Sequence, residues 1–286
     1  MTKMGTSIAC LCDGTDFRTV FTYTKPPECE VRYSFNRSEE YQREVRQCRR
    51  CGHLVTVHDM DLTELYEHDY VESTYGGKDG IRRAFDRVTS LDPAASDNVG
   101  RAARVHEYAE RHLPQRAGVS PSVLDVGSGL CVFPHRMKAL GWDCTALDLD
   151  PRSIEHAREV VGVKGFCGDL GSAQELGQFD VVTLNRVLEH VENPVVMLSE
   201  TRQFLLPGGF VYVEVPDGEL AALEGPEREE FGIDHWHIFS AESLAHLVTA
   251  SGFVLQTLER MREPSQKFTL RAFMVLPQDG TVLRNE

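Results

Sequence analysis

Two groups of residues in this sequence have the types and spacing for chemistry. Near the front, Cys48-Arg49-Arg50-Cys51-Gly52 sets two thiols on one turn, with a glycine that lets both face a single ion. The partner pair upstream is Cys10-Leu11-Cys12, with one intervening residue where two are usual, and Cys29 or His53 stands as a substitute ligand. Cys10, Cys12, Cys48 and Cys51 are therefore the candidate ligands of a structural zinc ion, the alternative being a set of metal-free thiols. Four ligands leave no open position, so the expected role lies in folding or in holding a binding partner. The chain holds 8 cysteines and nothing near its start reads as a signal peptide, which favours reduced thiols or metal over disulfides. Cys131, Cys144 and Cys167 lie in apolar segments and read as small buried hydrophobes.

The second group is Leu124-Asp125-Val126-Gly127-Ser128-Gly129-Leu130-Cys131. Gly127 and Gly129 permit a tight turn and let backbone approach a ligand without a Cβ in the way. The helix that follows offers free N–H groups and a positive end. Asp148 lies about 20 residues further on, where a carboxylate can accept both hydroxyls of a ribose. Asp169, in Gly168-Asp169-Leu170, can accept from an adenine amino group. The plain alternatives are a strand-to-helix turn for the glycines and a turn aspartate for Asp169; a helix cap for Asp148 is disfavoured because Asp150 already holds that position. Val132 stands where a dinucleotide fingerprint wants its third glycine, which favours a nucleoside without a pyrophosphate.

These residues need a frame. Residues 1–62 form a cysteine-rich module with strand-like pieces at Thr19–Tyr23 and His53–Val57. Residues 63–118 are polar and mostly helical in pattern, a linker or cap, with a loop at Tyr75-Gly76-Gly77. One helix there starts after Ser96-Asp97-Asn98, carries Val99, Ala102, Ala103, Val105 and Ala109 at helical spacing, and stops before Pro114. Residues 119–286 alternate strand and helix. Strands are expected at Ser122–Val126, Asp143–Leu149, Phe179–Leu184 and Phe210–Val215, with helices at Val132–Leu140, after Asp150-Pro151, from Asn193-Pro194 to Leu206-Pro207-Gly208-Gly209, and from Ser240 to Gly252. The chain continues through Phe253–Leu258 and Phe268–Leu276, two strand-like runs in succession. That alternation predicts an α/β fold with a doubly wound parallel sheet and an antiparallel pair at one edge.

Val123 to Pro151, VLDVGSGLCVFPHRMKALGWDCTALDLDP, resembles the first and second motifs of class I S-adenosylmethionine-dependent methyltransferases. FDVVTLNRVLEHV from Phe179 to Val191, Leu206-Pro207-Gly208-Gly209, and His235-Trp236-His237-Ile238-Phe239-Ser240 continue the likeness, which covers roughly residues 120–276. The resemblance implies a seven-stranded Rossmann-like sheet with its last strand antiparallel, and S-adenosylmethionine as cofactor. By position, it implies that Asp125, Gly127 and Gly129 line the methionine and ribose end. Asp148, with Leu149, takes the ribose hydroxyls, Asp169, with Leu170, takes the adenine amine, and Asn185 and Arg186 close the pocket. Cys131 departs from the pattern, since many members carry a third glycine there. The front of the chain is similar to the zinc ribbon that precedes some bacterial methyltransferases.

Methyl transfer to oxygen needs a base, and histidine is the usual one near neutral pH. His190, His235 and His237 are the candidates. His235 and His237 flank Trp236, so an extended segment points both to one face, where they serve as a base with its helper, a metal pair or a packing feature. His190, after Glu189, is a base or a structural group. The expected acceptor is a small molecule, a sugar, sugar-linked compound or secondary metabolite; the alternatives are an RNA methyltransferase and a non-catalytic nucleoside-binding scaffold. The formal net charge of −14 repels polyanions and makes nucleic acid an unlikely partner. The basic run Arg43, Arg46, Arg49 and Arg50 reads as a solvated loop, with a phosphate-bearing acceptor as the other reading. No run of about 20 apolar residues exists to span a bilayer, so a cytoplasmic protein is expected.

Overall fold

The computed structural model describes residues 10–28, 30, 41–58, 60 and 77–277. The front of the chain folds as three antiparallel strands, β1 (Phe17–Tyr23), β2 (Arg43–Cys48) and β3 (Leu54–His58). Strand β2 corrects the reading of Arg43 and Arg46 as a solvated loop, while Arg49 and Arg50 do lie exposed on the turn that follows it. Arg43 is fully buried, its guanidinium 3.1 Å from Glu30 and 4.1 Å over the Tyr23 ring. Arg46 pairs with Glu44, Arg49 with Asp16, and Arg50 donates to the Cys12 carbonyl. The strand conceals its inward face from a sequence reading, because the partner that neutralises Arg43 comes from another segment.

Helices α1 (Gly77–Thr89) and α2 (Asp97–His112) follow. In α2 the buried stripe is Arg101, Ala102, Val105, Tyr108 and Ala109, while Ala103 turns to solvent, against expectation. The remainder alternates: β4 (Ser122–Val126), α3 (Val132–Ala139), β5 (Asp143–Asp148), α4 (Pro151–His156), β6 (Lys164–Cys167), β7 (Phe179–Asn185), α5 (Pro194–Glu200), β8 (Leu205–Pro216), α6 (Gly218–Glu224), β9 (His237–Ile238), α7 (Ala241–Ala250), β10 (Val254–Arg262) and β11 (Phe268–Val275). Caps fall where short polar side chains and prolines predict them. Asp150 accepts from Arg152 N ahead of Pro151, Asn193 from Val196 N ahead of Pro194, and Ser240 forms a reciprocal capping box with Ser243.

Sheet order is β10-β11-β8-β7-β4-β5-β6, parallel from β8 to β6, with β11 antiparallel to both neighbours. The expected seven-stranded, doubly wound sheet with an antiparallel edge pair is what forms. Successive residues face opposite ways, so Leu124, Val182 and Val211 pack beneath Leu198, Leu244 and Leu247. Val123, Val181 and Phe210 pack beneath Ala102, Val105 and Met137 on the other face. One boundary moves: the helix after Asn193 ends early, and Leu206–Gly209 runs inside β8. Gly209 presses on the Asp180 backbone, where a Cβ would stand 2.6 Å from the carbonyl oxygen. The short strand β9 leaves the second half of the chain and pairs with β3 in a four-stranded sheet.

Candidate functional site

The strand order reverses at β4, and ligands of open α/β sheets sit beyond the carboxyl ends of strands at such a point. A cavity of about 540 Å³ opens there. Asp125, Gly127, Gly129, Asp148, Leu149, Asp169, Leu170, Asn185 and Arg186 all line it. The glycine turn is held from below, with Gly127 N and Ser128 N both donating to the Leu147 carbonyl. Gly127 has φ +66°, and a Cβ there would stand 2.7 Å from Val187 Cγ2, so both conformation and space require glycine. Cys131 also lies in the left-handed region, at φ +55°, fully buried. The third glycine of the family pattern suits that conformation without strain; a cysteine holds it at a cost of roughly 1 kcal/mol, offset by the packing of its side chain.

Two backbone donors orient the Asp148 carboxylate, Gly129 N at 2.8 Å and Asp150 N at 2.9 Å. Burial raises its pKa against these bonds. Asp169 accepts from Ser172 N and Oγ, so it closes a turn as well as bordering the cavity. Leu149 is 70% exposed at the rim, an apolar group left uncovered by protein.

Asp125 lies deeper and accepts from Thr183 Oγ1 at 2.7 Å and Asn185 Nδ2 at 2.8 Å. Burial pushes its carboxyl up to about 6 despite those donors. A carboxyl whose pKa rises on folding binds more protons in the folded state. Its contribution is therefore fully present below the unfolded value near 4 and is lost as pH climbs through about 6. Asp125→Asn keeps an oxygen for both donors and removes the titration. Thermal melts should show little difference from the parent near pH 4 and a variant more stable by about 1–3 kcal/mol above pH 7. A parent as stable as the variant at both ends would contradict this.

Sequence reasoning named Arg186 for this pocket but missed Arg101 and Asn98. Arg101 on α2 lines the cavity, donates to Glu214 Oε2 at 2.8 Å and to Asn98 Oδ1 at 2.7 Å, and Asn98 lines the cavity too. The signal was legible in Phe210–Val215, where Glu214 interrupts an apolar strand and demands a cation. Arg186 follows β7 at φ +60°, its side chain 3.7 Å from Glu214.

The histidines separate. His190 borders the main cavity and a second one of about 370 Å³, which opens beside Arg186 and Lys267 and is lined also by Glu189 and His235. His235 Nδ1 donates to the Glu230 carbonyl at 2.8 Å, and burial lowers its pKa. His237 faces elsewhere: its Nε2 donates to the Glu192 carbonyl and its Nδ1 accepts from His53 Nε2 at 2.9 Å. Burial holds His237 at about 4, so it stays neutral. The expected common face fails because the chain turns before His235 and becomes extended only at His237.

Cys10, Cys12, Cys48 and Cys51 converge, all buried, their ligand atoms within 4.8 Å of one another. His53 is spent on His237 and Ser243, which removes it as a ligand. Cys29 lies outside the described residues.

This sheet order, with its inserted antiparallel strand and its glycine turn over a carboxylate, is the class I methyltransferase architecture. Residues 94–258 match the methyltransferase domain family, and the chain belongs to it. The ubiquinone biosynthesis O-methyltransferase of Shewanella halifaxensis is 33% identical over 178 residues, covering 59% of this chain and 68% of that protein. Its counterpart from Shewanella pealeana is 30% identical over 121 residues, 39% of this chain and 51% of that protein. The matched stretch thus spans about half to two thirds of these relatives. Magnesium protoporphyrin IX methyltransferase from Synechocystis shares the fold, with a TM-score of 0.54 at 16% identity over 76% of this chain and all of that one.

Proposed function

We propose that this protein transfers a methyl group from S-adenosylmethionine to a small-molecule acceptor. The observation that carries the reading is the single cavity onto which the glycine turn, Asp148, Asp169 and Asn185 converge. The residues fit a nucleoside carrying an amino-acid tail. Asp148 meets the ribose hydroxyls, the apolar Leu149 and Leu170 flank the base, and Asp169 accepts from its amine. Gly127 and Gly129 let backbone come close, and Arg101, kept charged beside Glu214, suits the tail's carboxylate. S-adenosylmethionine supplies a methyl group already activated on a sulfonium. The chain's task is then to align the acceptor and exclude water, which can supply several kcal/mol.

The second cavity, joined to the first at Arg186, His190 and Lys267, is the acceptor site in this reading. Its polar lining favours a compact polar acceptor such as a sugar, a sugar-linked compound or a hydroxylated secondary metabolite. The ubiquinone biosynthesis relatives are O-methyltransferases by name, which supports an oxygen acceptor. An RNA acceptor needs a basic face, whereas Arg43 is buried on Glu30 and Arg46 and Arg49 pair with acids. Among the described residues no helix is long and apolar enough to cross a membrane.

Cys10, Cys12, Cys48 and Cys51 hold a structural zinc ion in the same reading. Zn–S bonds of about 2.3 Å at tetrahedral angles imply sulfurs about 3.8 Å apart, and the separations here are 3.4 Å for Cys10 to Cys12 and to Cys51 and 3.7 Å for Cys12 to Cys48. A Cβ at Gly14 would come within 3.0 Å of two of the sulfurs, so glycine keeps that side open.

Calorimetry with adenosylhomocysteine tests the cofactor site. Asp148→Ala should weaken binding by about 10–100-fold while the melt stays cooperative, since two charge-assisted hydrogen bonds are lost. Unchanged affinity in the variant, or no binding to the parent, rejects the assignment. A panel of hydroxylated small molecules, sugar nucleotides and RNA, read by adenosylhomocysteine release, then identifies the acceptor class.

A further inference from the structure

We propose that Glu189, His190 and His235 bind a divalent cation where the two cavities meet. Glu189 and His190 lie on the short turn Leu188–His190 just beyond β7, and His235 arrives from the loop before β9. Each offers one ligand atom, and these atoms lie within 4.8 Å of one another.

The orphaned carboxylate is the first argument. Glu189 is 1% exposed, and its Oε2 has no hydrogen-bond partner. Among the described residues it makes no ion pair either. A buried carboxylate oxygen left unpaired costs a few kcal/mol or more, so such groups are paired or ligate metal. The second argument is the orientation of the rings. A carbonyl oxygen can only accept, so the 2.8 Å contact to the Glu230 carbonyl places the proton of neutral His235 on Nδ1 and the lone pair on Nε2. His190 is held in the same way through Nδ1, at 3.0 Å from the Asp234 carbonyl. A backbone carbonyl behind the ring is the outer support common to metal-bound histidines.

Two imidazoles and one carboxylate suit Mn²⁺, Fe²⁺ or Zn²⁺ and leave positions open. Those positions border the second cavity, which Glu189, His190 and His235 all line. An ion there would take an oxygen ligand and make a coordinated hydroxyl more acidic. That use rests on the reading of this cavity as the acceptor site; the presence of the ion does not. It also makes His190 and His235 ligands instead of bases.

Mn²⁺ separates this site from the thiol quartet, because thiolates select zinc and N/O donors accept manganese. The full-length, zinc-loaded protein is titrated with MnCl₂, following the six-line electron paramagnetic resonance signal of the free ion. Saturable uptake is expected, weakened at least about 10-fold in His235→Ala and in Glu189→Gln. Adenosylhomocysteine calorimetry on His235→Ala, whose side chain lines only the second cavity, should match the parent and shows that the variant is folded. No saturable uptake by the parent, or variants that bind Mn²⁺ as the parent does, overturns the proposal and leaves the cofactor reading standing. If Mn²⁺ binds and adenosylhomocysteine does not, the site stands and the methyltransferase reading fails.

Discussion

Glu214→Ala is expected to destabilise the protein by about 3–5 kcal/mol, the cost of removing one partner from a buried ionic group. Glu214 is fully buried, and Arg101, Arg271 and Arg186 all converge on it, with their Nε atoms at 2.8, 3.2 and 3.7 Å. Tyr212 adds a hydroxyl donor at 3.0 Å. Burial alone would raise the Glu214 pKa; the guanidiniums, Arg101 foremost, outweigh it and hold the carboxyl well below its ordinary value. The sign follows: a depressed folded pKa contributes stability above the unfolded value near 4.3 and loses it as the solution turns strongly acidic. Alanine leaves a fully buried Arg271 facing Arg101, with Glu263 as its remaining ion-pair partner among the described residues. Urea unfolding measures the loss, and a change under about 1 kcal/mol would show that the cluster does not depend on its central acid. Because Arg101 also lines the main cavity, the same substitution should weaken adenosylhomocysteine binding.

Removing the zinc ion proposed at Cys10, Cys12, Cys48 and Cys51 is expected to have an effect of the same order. Small zinc domains draw about 10 kcal/mol or more of folding free energy from their ion. Among the described residues the quartet's other supports are Phe17 packed against it, Leu11 packed on the main core and the Ser240 hydroxyl donating to the Cys51 carbonyl. The rest of the front module has its own apolar support in Tyr23, Val45 and Leu54 against Phe231 and Ile238, so the loss is partial. If at least about 3 kcal/mol goes, a chelator should lower Tm by about 10 °C, at 2–4 °C per kcal/mol for a chain of this size. Cys51→Ser should abolish the chelator's effect. Metal analysis finding well under one zinc per chain, in protein purified without chelator, would falsify the zinc assignment.

Features carried by neighbouring residues were legible in the sequence. The glycine turn, Asp148 at the end of β5 and the caps at Asp150, Asn193 and Ser240 each depend on a few consecutive positions, and they stand where expected. The thiol quartet was legible despite the irregular Cys10-Leu11-Cys12, because the turn of the first pair brings both sulfurs to the second. What escaped depends on segments far apart. Arg101 meets Glu214 across 113 positions, and His53 meets His237 across 184. Strand β2 escaped because one of its inward residues, Arg43, is an arginine whose neutralising acid, Glu30, belongs to another segment. The paired histidines were misread because alternation holds only where the backbone is extended, and the chain reaches that state after His235.

Strand β9 has a consequence for how this chain can be cut. Among the described residues its two residues complete their ladder on Leu54 and Val55, and His237 takes its proton donor from His53. Trimmed back to Gly77, the chain would present a raw strand edge and an unsatisfied imidazole just past Asp234 and His235. The front module therefore acts as a splint for one wall of the second cavity, and excising the larger sheet by itself would leave that wall without its brace.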